Sequence, residues 1–331
     1  MNWQSTNGSR GFTLVELMVA MLLGLLLCIA TTSLYLRVRD GFDRDDSVVR
    51  MQDDARQAVH DLTNDLSMAG FWADLLLPGS VTPDDALTVG TDCGPTAVAK
   101  WIYRPVVGAN SESLTGVDNA TGASANAAYS CIAASEIVAG TDVIAIKRAA
   151  GARLTTAAVT NSVYFRTNGT VGLLYKQPDL TPPAVAVPAP FTEWEYRPAI
   201  YYIRNYANTV GDGIPTLCRK ALSYSAAPTM ATDCLAQGIE DLQIEYGLDP
   251  DGDAEPNLFV QSPTLAELQT AVAVRVYILV RSAEPDPQYT NGKTYAISNA
   301  ASRTPADHFY RRVFSETVAL HNIASLRKLR S

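Results

Sequence analysis

Few residues in this chain have the types and spacing that catalysis requires. The 331 residues include only three histidines, His60, His308 and His321, which stand far apart in sequence. The nucleophile motif GxSxG, the zinc motif HExxH and the phosphate loop GxxxxGK do not occur. The sequence therefore predicts a protein that is not an enzyme.

One acidic turn has the oxygen spacing of a calcium loop. Asp249, Asp251 and Asp253 alternate around Gly252 in the segment LDPDGDAEPN. An EF-hand would also need a glutamate at the twelfth loop position and flanking helices, and both are missing. These aspartates are the calcium candidates, but a solvated turn between strands is the favoured interpretation. The sequence indicates no other cofactor.

Four of the five cysteines lie in polar surroundings, while Cys28 lies in an apolar run. Cys93, Cys131, Cys218 and Cys234 allow three pairings, among which sequence proximity favours Cys93–Cys131 and Cys218–Cys234. Four free buried thiols are the alternative. The even count favours disulfides in an oxidising compartment, and the lack of CxxC pairs argues against structural zinc.

The charge of the chain excludes one class of partner. The formal net charge is -8, and the basic residues form no cluster. Phosphate binding needs concentrated lysine and arginine, so no nucleic-acid binding is predicted. A hydrophobic content of 47% allows a sizeable soluble core beside any membrane segment.

The apolar run from Phe12 to Leu36 predicts a membrane-spanning helix that contains one acid, Glu16. Its length of about 25 residues corresponds to roughly 37 Å of helix, enough to cross a hydrocarbon core of about 30 Å. A cleaved secretory signal is shorter and ends in a small-residue site, so we expect the mature protein to keep this helix.

An ionised carboxylate in lipid costs several kcal/mol unless a cation meets it. A cut just before Phe12 would create an N-terminal ammonium, and a neighbouring helix shifted along the axis could bring that charge to Glu16. The carboxylate would then set the register of stacked helices. The alternative is a protonated glutamate near the headgroups with no role.

The basic residues around the apolar run and the cysteines predict opposite sides of the membrane for the large domain. Only Arg10 precedes the run, whereas Arg37, Arg39, Arg44 and Arg50 follow it. Counted alone, they would place the large domain in the cytoplasm. Long domains translocate with little regard to charge, so the cysteines carry more weight and predict a periplasmic domain.

The same helix is predicted to continue as an amphipathic segment over residues 37–70. No proline occurs between Phe12 and Leu77, although Gly24 and Gly41 are weak points. Charged residues separate apolar ones at helical spacing, which indicates one buried stripe. The stripe comprises Val48, Met51, Ala55, Ala58, Val59, Leu62, Leu66 and Ala69.

Residues 71–331 read mainly as strands, with a short helix at TLAELQTA. Asn168-Gly169 between two apolar runs is a strong hairpin signal. The small, polar segment Gly108–Ser130 and the segment Pro178–Pro190, which contains five prolines, are predicted loops. The predicted fold class is α+β, with the long N-terminal helix packed on an antiparallel β-sheet.

The N-terminal stretch RGFTLVELMVAMLLGLLL resembles the class III signal of type IV prepilins. That signal consists of a short polar leader, a glycine, a phenylalanine and an apolar helix with a glutamate at its fifth position. This sequence contains each part, with Gly11, Phe12 and Glu16 at the three specified residues. The resemblance implies that a prepilin peptidase removes residues 1–11 by cutting after Gly11 and N-methylates Phe12. It also implies that Glu16 meets the N-terminus of an adjacent subunit during assembly.

The segments DLSMAGFWA, GIEDLQIEYGLDPDGD, AVRVYILVRS and HFYRRVFSETVALHNIA are together similar to the PilW family of minor pilins. This resemblance implies a single-pass inner-membrane protein that primes pilus assembly and then sits at the pilus tip. Its implied partners are the prepilin peptidase, other minor pilins, the major pilin and a tip-associated adhesin. Many relatives place a Gly-Cys pair soon after the AGF segment, whereas the first such cysteine here is Cys93.

Two rival interpretations fit parts of the sequence. A minor pseudopilin of type II secretion, of the J kind, would share the helix and much of the fold, although such proteins are usually shorter. A periplasmic enzyme or binding protein with an uncleaved signal anchor would instead keep Met1.

Overall fold

The computed structural model describes residues 11, 13–75, 81–83, 87–94, 101–103, 106–107, 110–155, 159–176, 187–224, 227–299 and 301–328. Residues 1–10 of the predicted leader, Phe12 and most of the predicted loop Pro178–Pro190 lie outside the described residues. The chain forms two compact units, Met1–Val49 and Arg50–Ser331.

The predicted long helix is present as α1 (Leu14–Ser67), which runs through Gly24 and Gly41 without a break. It is long and apolar enough to cross a membrane, judged by length and composition. Within the second unit its buried residues, Met51, Ala55 and Leu62 among them, recur at helical spacing as the stripe predicts. Gly70 follows the helix with a φ of +73°, and its N–H donates to Lys147 O (3.2 Å).

In the part of the chain that the structure describes, the remaining elements are mostly strands, joined by three short α-helices and one 3-10 helix (Trp101–Tyr103). The helices are α2 (Gly122–Ala128), α3 (Leu265–Leu268) and α4 (His321–Lys328). The strands are β1 (Val81–Pro83), β2 (Val106–Val107), β3 (Asn110–Ser111), β4 (Leu114–Ala120), β5 (Thr141–Ile146), β6 (Ala149–Arg153), β7 (Val163–Thr167), β8 (Gly172–Lys176), β9 (Thr192–Tyr196), β10 (Ala199–Arg204), β11 (Thr216–Tyr224), β12 (Pro228–Gln237), β13 (Ile239–Leu248), β14 (Leu258–Val260), β15 (Ala271–Arg281), β16 (Tyr295–Ala296), β17 (Ser302–Arg303) and β18 (Arg311–Ala319).

These strands form three main sheets rather than one. Their orders are β1-β8-β7-β9-β6, β12-β11-β10-β5-β4 and β14-β13-β15-β18, and β16-β17 and β2-β3 form two small ribbons. Strand pairs are antiparallel except β1 with β8, which is parallel. The predicted α+β class is confirmed, and the hairpin at Asn168-Gly169 joins β7 to β8.

The prediction of a loop over Gly108–Ser130 is wrong, because β4 and α2 lie within it. Strand β4 pairs with β5, so backbone hydrogen bonds stabilise it although most of its residues are small or polar. Helix α2 begins with a capping box in which Thr121 and Ser124 satisfy each other's backbone N–H groups. Strand pairing and helix capping therefore determine the structure of this segment, although its composition predicted a loop.

A buried polar cluster connects the end of α1 to the second sheet. Asp65 Oδ1 accepts from Arg148 Nη2 (2.5 Å) and Nε (3.0 Å). Asp65 Oδ2 accepts from the Tyr201 hydroxyl (2.5 Å). Burial first, and then the Asp65 charge, raises the pKa of Tyr201 well above its ordinary value, so its hydroxyl stays a donor.

We expect Asp65→Ala to lower the free energy of unfolding by about 3 kcal/mol or more, because it leaves the Arg148 guanidinium buried without its acid. The matched control is Glu195→Ala, which breaks the solvent-exposed Glu195–Arg197 pair and should cost at most about 1 kcal/mol. Denaturant unfolding of the full chain in detergent measures both. If both variants lost the same free energy of unfolding, the buried Asp65–Arg148 pair would not have the stabilising role assigned to it.

A second buried acid, Asp142 on β5, bridges the second and third sheets. Its Oδ1 accepts from Asn119 N (2.8 Å) and its Oδ2 accepts from Ile244 N on β13 (2.7 Å). Burial, opposed by these two N–H groups and reinforced by the charges of Asp118 and Asp241, raises the pKa of Asp142 from 3.8 to about 7.

This raised pKa predicts a specific pH dependence of stability. Between pH 4 and pH 7 the folded state holds a proton on Asp142 that the unfolded state has released, so the free energy of unfolding falls as pH rises. The slope contributed is at most roughly 1.4 kcal/mol per pH unit. Asp142→Asn should flatten this part of the stability–pH curve, and Asp251→Asn in the exposed acidic turn should not. If Asp142→Asn left the stability–pH curve unchanged, Asp142 would not be the group that causes this pH dependence.

Candidate functional site

The candidate assembly site is the first turn of α1. Gly11 is exposed and precedes the helix, Phe12 lies outside the described residues, and Glu16 lies two residues after the helix begins. Glu16 Oε2 accepts from Thr13 N (2.9 Å) and from Thr13 Oγ1 (2.9 Å). Glu16 N donates back to Thr13 Oγ1 (3.3 Å), so the two residues form a capping box.

Thr13 is a residue of this site that the sequence interpretation missed. The signal was present, because T-x-x-E before an apolar run is the pattern of a capping box. The contact satisfies one carboxylate oxygen of Glu16 and leaves Oε1 with no hydrogen bond from any residue that the structure describes. Glu16 therefore has one oxygen that a cation can approach.

The helix itself supplies no such cation near Glu16. Residues 11–36 contain no lysine, arginine or histidine. The large apolar side chains of this stretch are exposed, from Leu36 at 50% to Leu14 at 73%. Such a surface requires lipid or other apolar helices around it, and a charged partner for Glu16 has to come from outside this segment.

The four cysteines of the second unit form two disulfides, Cys93–Cys131 and Cys218–Cys234. These are the two pairings that sequence proximity favours. Cys218 and Cys234 lie directly opposite each other on β11 and β12, so that disulfide crosses between paired strands. Cys28 is free and exposed on α1.

The acidic turn brings its three aspartates together, with carboxylate oxygens of Asp249, Asp251 and Asp253 within 4.8 Å of one another. Asp249 is buried, and its carboxylate accepts from the backbone N–H groups of Gly252 and Ala254. Those bonds are what a self-stabilised turn requires. The arrangement fits the favoured solvated-turn interpretation, and calcium binding there stays a prediction.

We expect Thr13→Val to loosen the first turn of α1, because valine has the shape of threonine but can neither donate to Glu16 Oε2 nor accept from Glu16 N. The expected loss of local helix stability is about 1 kcal/mol. Amide hydrogen exchange of residues 13–17 in detergent micelles measures it. Thr13→Ser keeps the hydroxyl and should retain protection, so similar exchange in both variants would contradict the capping role.

Two family models match the chain at separate places. Residues 6–32 match the prokaryotic N-terminal methylation motif, which includes Gly11, Thr13 and Glu16 and the first turns of α1. Residues 200–322 match PilW, the type IV pilus-assembly protein W, and this segment runs from β10 to the start of α4.

Among solved structures, a type IV-like pilin from Thermus thermophilus is similar over 83% of this chain and 97% of its own, with 11% identity and a TM-score of 0.37. No curated protein is significantly similar in sequence. The two family matches show that this chain is similar to PilW over residues 200–322 and contains a prokaryotic N-terminal methylation motif over residues 6–32.

Proposed function

We propose that the protein is a minor pilin of the type IV pilus and that prepilin peptidase converts it to its assembly form. Cleavage between Gly11 and Phe12 removes the leader, and methylation marks the new terminus. The observation that carries this proposal is Glu16, a lone acid at the start of an exposed apolar helix inside a methylation motif.

The proposed mechanism uses the unfavourable energy of that acid in lipid. Residues 12–36 hold the subunit in the inner membrane, where Glu16 has only Thr13 as a hydrogen-bond donor among the described residues. The ammonium of Phe12 on an adjacent pilin helix would approach the remaining oxygen. The ion pair forms only when the helices stack in one register, so it favours assembly over the isolated subunit.

The globular part, residues 71–331, would supply lateral contacts to partners from the periplasmic side. Its two disulfides support that side of the membrane, because disulfides persist in oxidising compartments. We propose that its partners are other minor pilins, the major pilin and a tip-associated adhesin. In this proposal the complex primes pilus assembly and remains at the pilus tip.

A type II secretion minor pseudopilin of the J kind is the second candidate function. It would share the cleavage site, Glu16 and the helix, so these residues do not separate the two proposals. The PilW match over residues 200–322 favours the pilus. Neighbouring genes for other minor pilins, rather than for secretion components, would support the same choice.

We expect Glu16→Gln to leave membrane insertion and processing intact but to reduce incorporation into pili at least tenfold, on the order of 1.4 kcal/mol per tenfold change. Glutamine keeps the shape and still accepts from Thr13, but it lacks the charge that an ammonium would pair with. Immunoblots of sheared pili and of the membrane fraction measure the two pools.

Glu267→Gln is the matched control, because Thr264 and Glu267 form the same capping box at the start of α3. This control variant should assemble like the wild type. Wild-type incorporation of Glu16→Gln would refute the proposed role of the carboxylate.

A further inference from the structure

A small cavity lies where β4, β5 and β13 meet the segment before α3. Its volume is about 30 Å³, roughly the space of one water molecule or one small ion. The polar groups that line it come from Asp118, Asp142, Tyr246, Gln261 and Ser262. Ser262 is exposed, so the mouth of the cavity reaches the protein surface.

The Tyr246 hydroxyl lines this cavity without a partner. Tyr246 is 4% exposed, yet its hydroxyl makes no hydrogen bond with any residue that the structure describes. Among the described residues, the fully buried side-chain atoms without a hydrogen-bond partner belong to Asp92, Tyr202 and Gln243, so the Tyr246 hydroxyl is instead accessible from the cavity to water or to a ligand. Gly116 makes room for it, because a Cβ at residue 116 would lie 2.5 Å from the hydroxyl oxygen.

The charge of the cavity favours a cation. Asp118 and Asp142 both line it, and Asp142 is only 3% exposed. Each oxygen of Asp142 accepts one backbone N–H bond, which leaves further lone pairs for a ligand.

We propose that this cavity binds one small divalent cation of the Ca²⁺ type through the carboxylates of Asp118 and Asp142 and the hydroxyl of Tyr246. Hard cations prefer such oxygen ligands and complete their coordination with water. Asp118 and Asp142 come from the second sheet and Tyr246 from the third, so the ion would link the two sheets. The site is separate from the acidic turn at residues 249–253, whose aspartates do not line the cavity.

The test is a Ca²⁺ titration of the full-length protein in detergent after EDTA treatment, with the melting temperature as readout. Binding to the folded state raises the melting temperature in proportion to occupancy. We expect the wild type to respond with a dissociation constant of roughly 10⁻⁴ to 10⁻³ M, the range of extracellular calcium modules.

Three variants locate the site. Tyr246→Phe removes only a hydroxyl that bonds to none of the described residues, so the melting temperature without Ca²⁺ should stay unchanged while Ca²⁺ affinity falls at least tenfold. Asp118→Asn, on a half-buried side chain, should give the same loss. The double variant Asp251→Asn, Asp253→Asn alters the acidic turn and should respond like the wild type.

Three results would overturn the proposal. The first is the absence of a Ca²⁺-dependent shift of the melting temperature in the wild type at concentrations up to 10-fold above that range, which would indicate that the cavity holds an ordered water. The second is a shift that persists in Tyr246→Phe and Asp118→Asn, which would place the ion elsewhere. The third is loss of the shift in the acidic-turn variant alone, which would assign binding to that turn.

Discussion

The carboxylate of Glu16 in an otherwise apolar helix is the constraint on which the account of this protein depends. Its charge is unfavourable in lipid, residues 11–36 hold no basic side chain, and Thr13 satisfies only one of its oxygens. The nearest cation would be an N-terminal ammonium at Phe12, either of the same chain, about one helical turn away, or of a neighbouring helix shifted along the axis. Cleavage at Gly11 is the step that would create such a cation on every subunit.

The second unit is built so that the end of α1 forms part of its core. The buried stripe from Met51 to Leu66 removes apolar surface from water, and the Asp65–Arg148–Tyr201 cluster fixes the register of the helix against the second sheet. A buried ion pair adds little net stability compared with apolar packing, but it penalises every other register. The helix is therefore held in one register against the sheets of this unit.

Local patterns in the sequence predicted the features that depend on local physics. The uninterrupted helix, the Asn168-Gly169 hairpin and the favoured cysteine pairings all follow from periodicity, turn chemistry or proximity. The sequence did not predict strand β4 and helix α2, because their mostly small or polar residues indicated a loop. Pairing with β5 and the Thr121 cap order this segment. The cavity of Asp118, Asp142 and Tyr246 was invisible for a different reason: only the meeting of two sheets brings these residues together.

The mature N-terminus tests the central claim most directly. Intact-mass and peptide mass spectrometry of the protein purified from membranes of a strain with active prepilin peptidase would identify its first residue. We predict a mature chain that begins with N-methylated Phe12 and lacks residues 1–11. A mature chain that begins at Met1 would contradict it, because no new ammonium would then exist to meet Glu16, and it would favour a signal-anchored periplasmic protein.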